Sequence, residues 1–230
     1  MVTAPILRAP SGRLLPVRFL LGDLPWDYND RRETRRDNPE GKTKFGIGAQ
    51  GNYAMGCMST EDLCAMRPLI DEVTSRDCYL GLWATCPRLE DCLRVGTAWG
   101  FEPKTVLFCW VKTTANGLVY NPGRYTHSNI EIVMLFRRRG QACWHPREGY
   151  RPHQVVMAPR PTASNKVIHS AKPHEVQDRI DQWLDPHMAG HSKLELFARR
   201  RRFGWICMGG DLGGRDIRDD LGSLARILRG

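Results

Sequence analysis

The chain has 230 residues, 41% of them apolar, with 34 Lys and Arg against 25 Asp and Glu for a net charge of +9. That length suits one large domain or at most two small ones, and the apolar share is too high for a disordered chain. No run of about 18 apolar residues occurs, which excludes a transmembrane helix; Met1 to Leu15 lacks the core and cleavage site of a signal peptide, so a cytosolic protein is expected.

In chain order, the apolar run Val17 to Leu21 reads as a short buried strand that stops at Gly22 and the polar stretch Asp23-Leu24-Pro25-Trp26. Such an end has two readings. One is an aspartate capping a turn beside a core tryptophan. The other is a surface for a flat heterocycle with an exocyclic amine, where the carboxylate accepts, the proline fixes nearby carbonyls and the indole stacks. Residues 27–56 are polar and rich in Gly, Lys and Arg, and read as a mobile functional loop. Gly46-Ile47-Gly48-Ala49-Gln50-Gly51 within it has the form G-x-G-x-x-G, but no buried strand precedes it and no amphipathic helix follows, so a dinucleotide site is rejected.

Ser59 to Glu61 resembles a helix start, with the helix running to about Val73 and Pro68 bending or ending it. Asp77 to Trp83 is predicted as a strand, Pro87 to Trp99 as a helix stopped by Gly100, and Thr105 to Val111 as a strand followed by Lys112. Asn129 to Phe136 and Gln154 to Ala158 are further strands, and Pro173 to Leu184 is a helix with an apolar stripe through Val176, Ile180, Trp183 and Leu184. Strands at Lys193 to Ala198 and Gly204 to Met208 precede a last helix, about Asp216 to Leu228. The alternation predicts an α/β fold with a mostly parallel central sheet and helices on both faces. Ligands in such sheets bind beyond the carboxyl ends of the strands, which here follow Leu21, Phe197 and Met208.

The eight cysteines form no C-x-x-C pair and have mostly apolar neighbours, so they read as small core residues and not as a zinc site or disulfide framework. The positive charge is gathered in three arginine clusters, at 31–36, 137–139 and 199–202. Arginine forks match phosphate oxygens, so the clusters favour a polyanionic partner over incidental solvated charge.

The motifs then line up with one family. Asp23 to Trp26 resembles the D-P-P-W signature of the MT-A70 adenine-N6 methyltransferases, bacterial or phage type. Tyr53 with Met58-Ser59-Thr60-Glu61 resembles Y-x-x-M-S-x-E, Leu82 to Thr85 resembles L-W-x-T, Ala98 to Phe101 resembles x-W-G-F, and Trp110 to Thr113 resembles W-V-K-T. Asn129 and Glu131 with Arg139-Gly140 resemble the family's S-N-x-E strand and its basic end, and His169 to Glu175 resembles H-S-x-K-P-x-E. Leu194 to Arg199 resembles L-E-L-F-A-R, and Gly204-Trp205 through Gly209 the final G-W-x-x-x-G.

The resemblance spans about residues 17 to 212 and implies one Rossmann-like methyltransferase domain over 1–230 with permuted motif order, closed by a C-terminal helix in 213–230. It implies S-adenosylmethionine as methyl donor and the N6 amine of adenine as acceptor, in DNA in preference to RNA. The compartment implied is the bacterial cytoplasm, or the host cytoplasm for a phage protein. Homodimer and monomer stay open, and no membrane partner is expected. The Asp23 carboxylate and the Leu24 backbone carbonyl would hold the amine hydrogens, Pro25 would fix the loop and Trp26 would stack on the base. Lys172 would meet the cofactor's carboxylate. Glu195, Phe197, Arg199, Gly210 and Asp211 would line the cofactor site, with Asp211 on a ribose hydroxyl. For Glu195 and Arg199, structural ion pairing or phosphate contact stays open. Tyr28, Arg31, Arg32, Arg35, Arg36 and Asn129 would face nucleic acid, with a structural role open for Asn129 and Glu131.

Two departures stand out. Leu24 replaces the first proline of the signature, and Gly210 stands where the family usually has asparagine. A non-catalytic nucleic-acid-binding relative is the competing reading.

Overall fold

The computed structural model describes residues 15–26, 56–122, 125–140, 149–164, 166–168, 170–184, 192–213 and 215–230. The first apolar run forms β1 (Val17–Gly22), and its side chains alternate across a sheet: Leu20 enters one core, Phe19 and Leu21 the other. Helix α1 (Thr60–Ala65) begins at Ser59, whose hydroxyl accepts the Asp62 N–H at 3.0 Å. The chain breaks at Met66 and restarts as α2 (Arg67–Val73), with Pro68 in the first turn, where its missing N–H leaves no bond unmade. The single helix expected here is therefore two.

Next come β2 (Thr74–Ala84), a 3-10 turn at Cys86–Arg88, α3 (Leu89–Ala98) and β3 (Phe101–Thr114). Strand β3 runs longer than expected because it tolerates Pro103: its register against its neighbour shifts between Pro103 and Thr105. The remaining elements are β4 (Gly117–Leu118), β5 (Ile130–Arg138), β6 (Val155–Pro159), the small hairpin β7 (Thr162–Ala163) and β8 (Lys166–Val167), α4 (His174–Leu184), β9 (Ser192–Leu196), β10 (Ile206–Met208) and α5 (Ile217–Arg229). Asp216 caps α5 by accepting the Arg218 N–H at 2.8 Å. Among the described residues no helix is long and apolar enough to cross a membrane.

The main sheet has the order β10-β9-β1-β2-β5-β3-β4, with β6 beside β3. Strands β10, β9, β1 and β2 are mutually parallel, and β6 is parallel to β3. Strand β5 is antiparallel to both β2 and β3, and β4 to β3, so six of the eight strands share one direction and the sheet is mostly parallel, as expected, with only β5 and β4 reversed. The reason is the connection. Parallel neighbours need a crossover, usually a helix, and among the described residues between β3 and β5 there is only the two-residue β4.

Helices cover both faces. Residues of α1, α2, α3 and α5 share one core with Leu20, Leu80, Leu82, Leu194 and Leu196; Val176, Ile180 and Leu184 of α4 share the other with Phe19, Leu21, Tyr79, Trp83 and Val133. Buried indoles keep their N–H groups satisfied: Trp99 donates to Leu63 O at 2.7 Å and Trp110 to Ala158 O at 2.8 Å. The described cysteines are free thiols, and Cys78 and Cys92 are fully buried core residues.

Candidate active site at the carboxyl ends of the strands

Strand β1 ends in a tightly tied loop. Asp23 N–H donates to Leu196 O of β9 at 3.4 Å, Trp26 N–H to Leu24 O at 2.9 Å, and Met58 N–H to Pro25 O at 2.8 Å. The Leu24 side chain is wholly buried. It anchors the loop by apolar burial, worth about 1.5–3 kcal/mol for a leucine, where proline would have used its ring. Trp26 is also core: it is 3% exposed and joined to Met58 by a β-bridge. Its side chain belongs to the core that holds Leu24, Leu63 and Met66, so the structure places it as the core tryptophan of the first reading.

The Asp23 carboxylate heads an alternating chain of charges. Lys172 Nζ, in the segment leading into α4, donates to Asp23 Oδ2 at 2.8 Å and lies 3.2 Å from Glu131 Oε2. Glu131 Oε1 in turn lies 2.6 Å from Lys112 Nζ at the end of β3. All four side chains are only 12–13% exposed. Strand reversal makes this possible: β5 runs against its neighbours, so its first residues meet the carboxyl ends of β2 and β3. Two indoles floor the group, with Lys172 Nζ 5.5 Å from the Trp83 ring centroid and Lys112 Nζ 5.2 Å from that of Trp110.

Burial pushes the Asp23 carboxyl above the usual range, against the pull of Lys172 and with the help of Glu131. Glu131 goes the other way: burial would raise it, but Lys172 and Lys112 together hold it below the ordinary value.

Beside this cluster a cleft of about 140 Å³ opens between the ends of β1, β9 and β10 and the start of α5, lined among others by Pro25, Met58, Phe197, Arg199, Gly210 and Asp211. Phe197 holds φ +59°, a left-handed conformation that costs a bulky residue about 1–2 kcal/mol and turns the chain sharply off β9. Gly209 lets the two strand ends meet, since a Cβ there would lie 2.3 Å from Ala198 O.

The structure brings Asp23 and Lys172 into contact, so Lys172 here serves a protein carboxylate. It brings Pro25, Phe197, Arg199, Gly210 and Asp211 to one cleft, where Arg199 Nη1 bonds Asp211 Oδ2 at 3.0 Å. Glu195 pairs with neither Lys172 nor Arg199; it accepts from Gln177 Nε2 at 2.7 Å. Asn129 stands at the start of β5, its carbonyl accepting the Lys112 N–H at 2.8 Å. Tyr28, Arg31, Arg32, Arg35 and Arg36 lie outside the described residues. Lys112 and Gln177 were missed. The signal for Lys112 was there: a lysine closing a buried strand, at the same edge as Asp23. For Gln177 the signal was a lone amide inside the apolar stripe of a helix.

In the clusters at 137–139 and 199–202 some arginines face inward onto protein partners, while Arg139 and Arg201 are exposed. Arg138 pairs with Asp71 at 2.6 Å, Arg202 with Asp178 at 2.6 Å and Asp181 at 2.7 Å, and Arg200 donates to Lys172 O at 2.9 Å.

A mixed α/β sheet with charged groups gathered at the carboxyl ends of its strands, next to a cleft, is the arrangement in which open α/β sheets place their ligand sites. The sequence model of the MT-A70 family matches residues 20–211, and the chain belongs to that family of methyltransferases. It is 30% identical over 192 residues to the Type II methyltransferase M.MunI of Mycoplasma sp, covering 82% of this chain and 74% of that protein.

Proposed function

We propose that this chain transfers a methyl group from S-adenosylmethionine to the N6 amine of adenine in DNA, with β1 as the catalytic strand of a permuted Rossmann-like methyltransferase fold and β9 as its cofactor strand. The observation that carries the reading is the Asp23 carboxylate, held by Lys172 at the end of β1, beside the cleft of β9 and β10. β1 and β9 are direct neighbours in the sheet although they stand near opposite ends of the chain. Likeness to a Type II methyltransferase supports DNA as the acceptor.

The donor set fits S-adenosylmethionine. Asp211 offers a carboxylate for ribose hydroxyls, Phe197 a ring against the nucleoside, and Arg199 and Arg200 guanidinium groups for a carboxylate. Bound there, the cofactor supplies an electrophilic methyl group. The protein supplies the rest. The adenine amine is a poor nucleophile because its lone pair is delocalised, and acceptors fixed around its hydrogens favour a more tetrahedral nitrogen. The Asp23 carboxylate accepts one hydrogen. The Leu24 carbonyl, already held in place by Trp26 N–H, accepts the other through its second lone pair. Asp23 then takes the proton that the methylated nitrogen sheds. Lys172 keeps Asp23 ionised between turnovers.

Labelled-methyl transfer to adenine-containing DNA and RNA, with digestion to nucleosides, tests this. The expected result is N6-methyladenine from DNA, with a loss of roughly 10²-fold or more in Asp23→Ala, the scale of removing one preorganised partner of the reacting group. An Asp23→Ala protein that methylates as fast as wild type overturns the mechanism.

A further inference from the structure

Glu195 and Gln177 form a buried polar pair that the chemistry above leaves unused. Glu195, on β9, is 9% exposed, and Gln177, on α4, is 4% exposed. Both hydrogen bonds to Glu195 fall on one oxygen: Gln177 Nε2 donates to Oε2 at 2.7 Å, and Cys207 Sγ lies 4.0 Å from the same atom. Glu195 itself lines a narrow chamber of about 20 Å³, with Asp23, Lys172, Arg199 and Arg200 among the other walls, and neither bond engages Oε1. The chamber shares Phe197 and Arg199 with the larger cleft. Its size suits a single group no larger than water or ammonium. Its walls carry both signs of charge, as the end of an amino-acid zwitterion requires.

We propose that Gln177 is a positioning residue: by pinning Glu195 Oε2 it presents Oε1 to the chamber as the acceptor for the ammonium group at the amino-acid end of S-adenosylmethionine. This rests on the cofactor reading above and adds a residue and a role to it. A buried glutamine spanning helix and sheet needs a partner to be tolerated. A buried glutamate needs a cation or a proton, and none of the neighbouring cations bonds it. Burial raises its carboxyl to about 7, with the Gln177 bond and Arg200 pulling it down and Asp23 pushing it up. The charged and titratable groups around it are Asp23 after β1, Lys172 before α4, Arg199, Arg200 and Arg202 after β9, and Cys207 on β10.

The sign of the pH dependence follows. Ammonium favours ionised Glu195, so binding strengthens as pH rises toward about 7, and weakens again where the ligand's own amino group loses its proton, at about 8. Loss of the Gln177 bond removes an influence that lowers this carboxyl, so the midpoint moves to higher pH.

Calorimetric titration of the full chain with S-adenosylmethionine between about pH 5.5 and 7.5, below the range where the ligand's own amino group titrates, reads this. Gln177→Leu is expected to bind roughly tenfold more weakly at pH 7, one buried hydrogen bond's worth, with its midpoint shifted upward. Glu195→Gln, of equal size, is expected to bind weakly with no pH dependence, and the double variant no more weakly than Glu195→Gln alone, the mark of action through Glu195. Methylthioadenosine, which lacks the amino-acid end, loses nothing in Gln177→Leu. The proposal is overturned if Gln177→Leu keeps wild-type affinity and midpoint, or if its loss is undiminished in the Glu195→Gln background. Should Gln177→Leu fail to fold, a Glu195→Gln protein with the wild-type pH profile overturns it equally. A wild-type chain that binds no S-adenosylmethionine overturns the cofactor reading and this proposal with it.

Discussion

Lys172 is bonded to Asp23 and Glu131 at once, and that double attachment sets the charge of the loop after β1. On the proposed function the adenine amine is held by an ionised Asp23, yet burial raises this carboxyl and Lys172 is the first influence pulling it back. Lys172→Met removes that pull. Asp23 then stays protonated to higher pH, and a protonated carboxyl no longer accepts both ways. The acid limb of the pH–rate profile should move to higher pH, with a loss of roughly 10²-fold at neutral pH that partly recovers in alkali. A profile that falls evenly at every pH would count against Lys172 as the keeper of Asp23. Sequence made both residues visible but not their contact, since 149 positions separate them and only the neighbouring of β1 with the segment before α4 joins them. Trp26 shows the opposite failure. An aromatic residue in a signature reads as a stacking surface, whereas here its side chain is buried among core residues of α1 and the sheet.

At the level of elements, periodicity located every helix and the longer strands, because apolar spacing is a local property. What it missed were breaks and directions, which depend on partners. Helix α1 stops at Met66 because Pro68 fits a first turn and not an interior. Strand β5 is reached by a connection that carries no helix among the described residues, and nothing in its own alternation of residues encodes its reversal. Helix α3 carries a further constraint: a Cβ on Gly96 would lie 2.4 Å from Phe136 Cε1, and that ring is fully buried on β5. Gly96→Ala should gain about 1 kcal/mol in helix propensity and lose about 1–3 kcal/mol to overpacking. The net expectation is a melting temperature lower by a few degrees, regained in part when Phe136→Leu makes room. A higher melting temperature for Gly96→Ala alone would show that α3 can shift off the sheet.

Across the whole molecule, the net charge of +9 overstates the surface available to a polyanion. Arg138 is 13% exposed. It bonds Asp71, Thr74 Oγ1 and Trp99 O, and its guanidinium lies 4.1 Å from the Phe101 ring centroid. Arg202, 17% exposed, joins β10's approach to α4 through Asp178 and Asp181. A run of arginines looks the same in sequence whether it meets phosphate or folds inward onto aspartates, because the aspartates lie 21 to 67 positions away. These arginines brace the fold. On the proposed function, each phosphate contact adds about 0.9 to the slope of log affinity against log salt. Arg138→Ala and Arg202→Ala should therefore lower the melting temperature while leaving the salt slope of DNA binding unchanged. The aspartates are 28–51% exposed, so each loss is that of hydrogen bonds to a charged group, about 1.5–3 kcal/mol, which for a chain of this size is a drop of roughly 3–12 °C. A slope that falls by about one in either variant, with stability intact, would return that arginine to the phosphates.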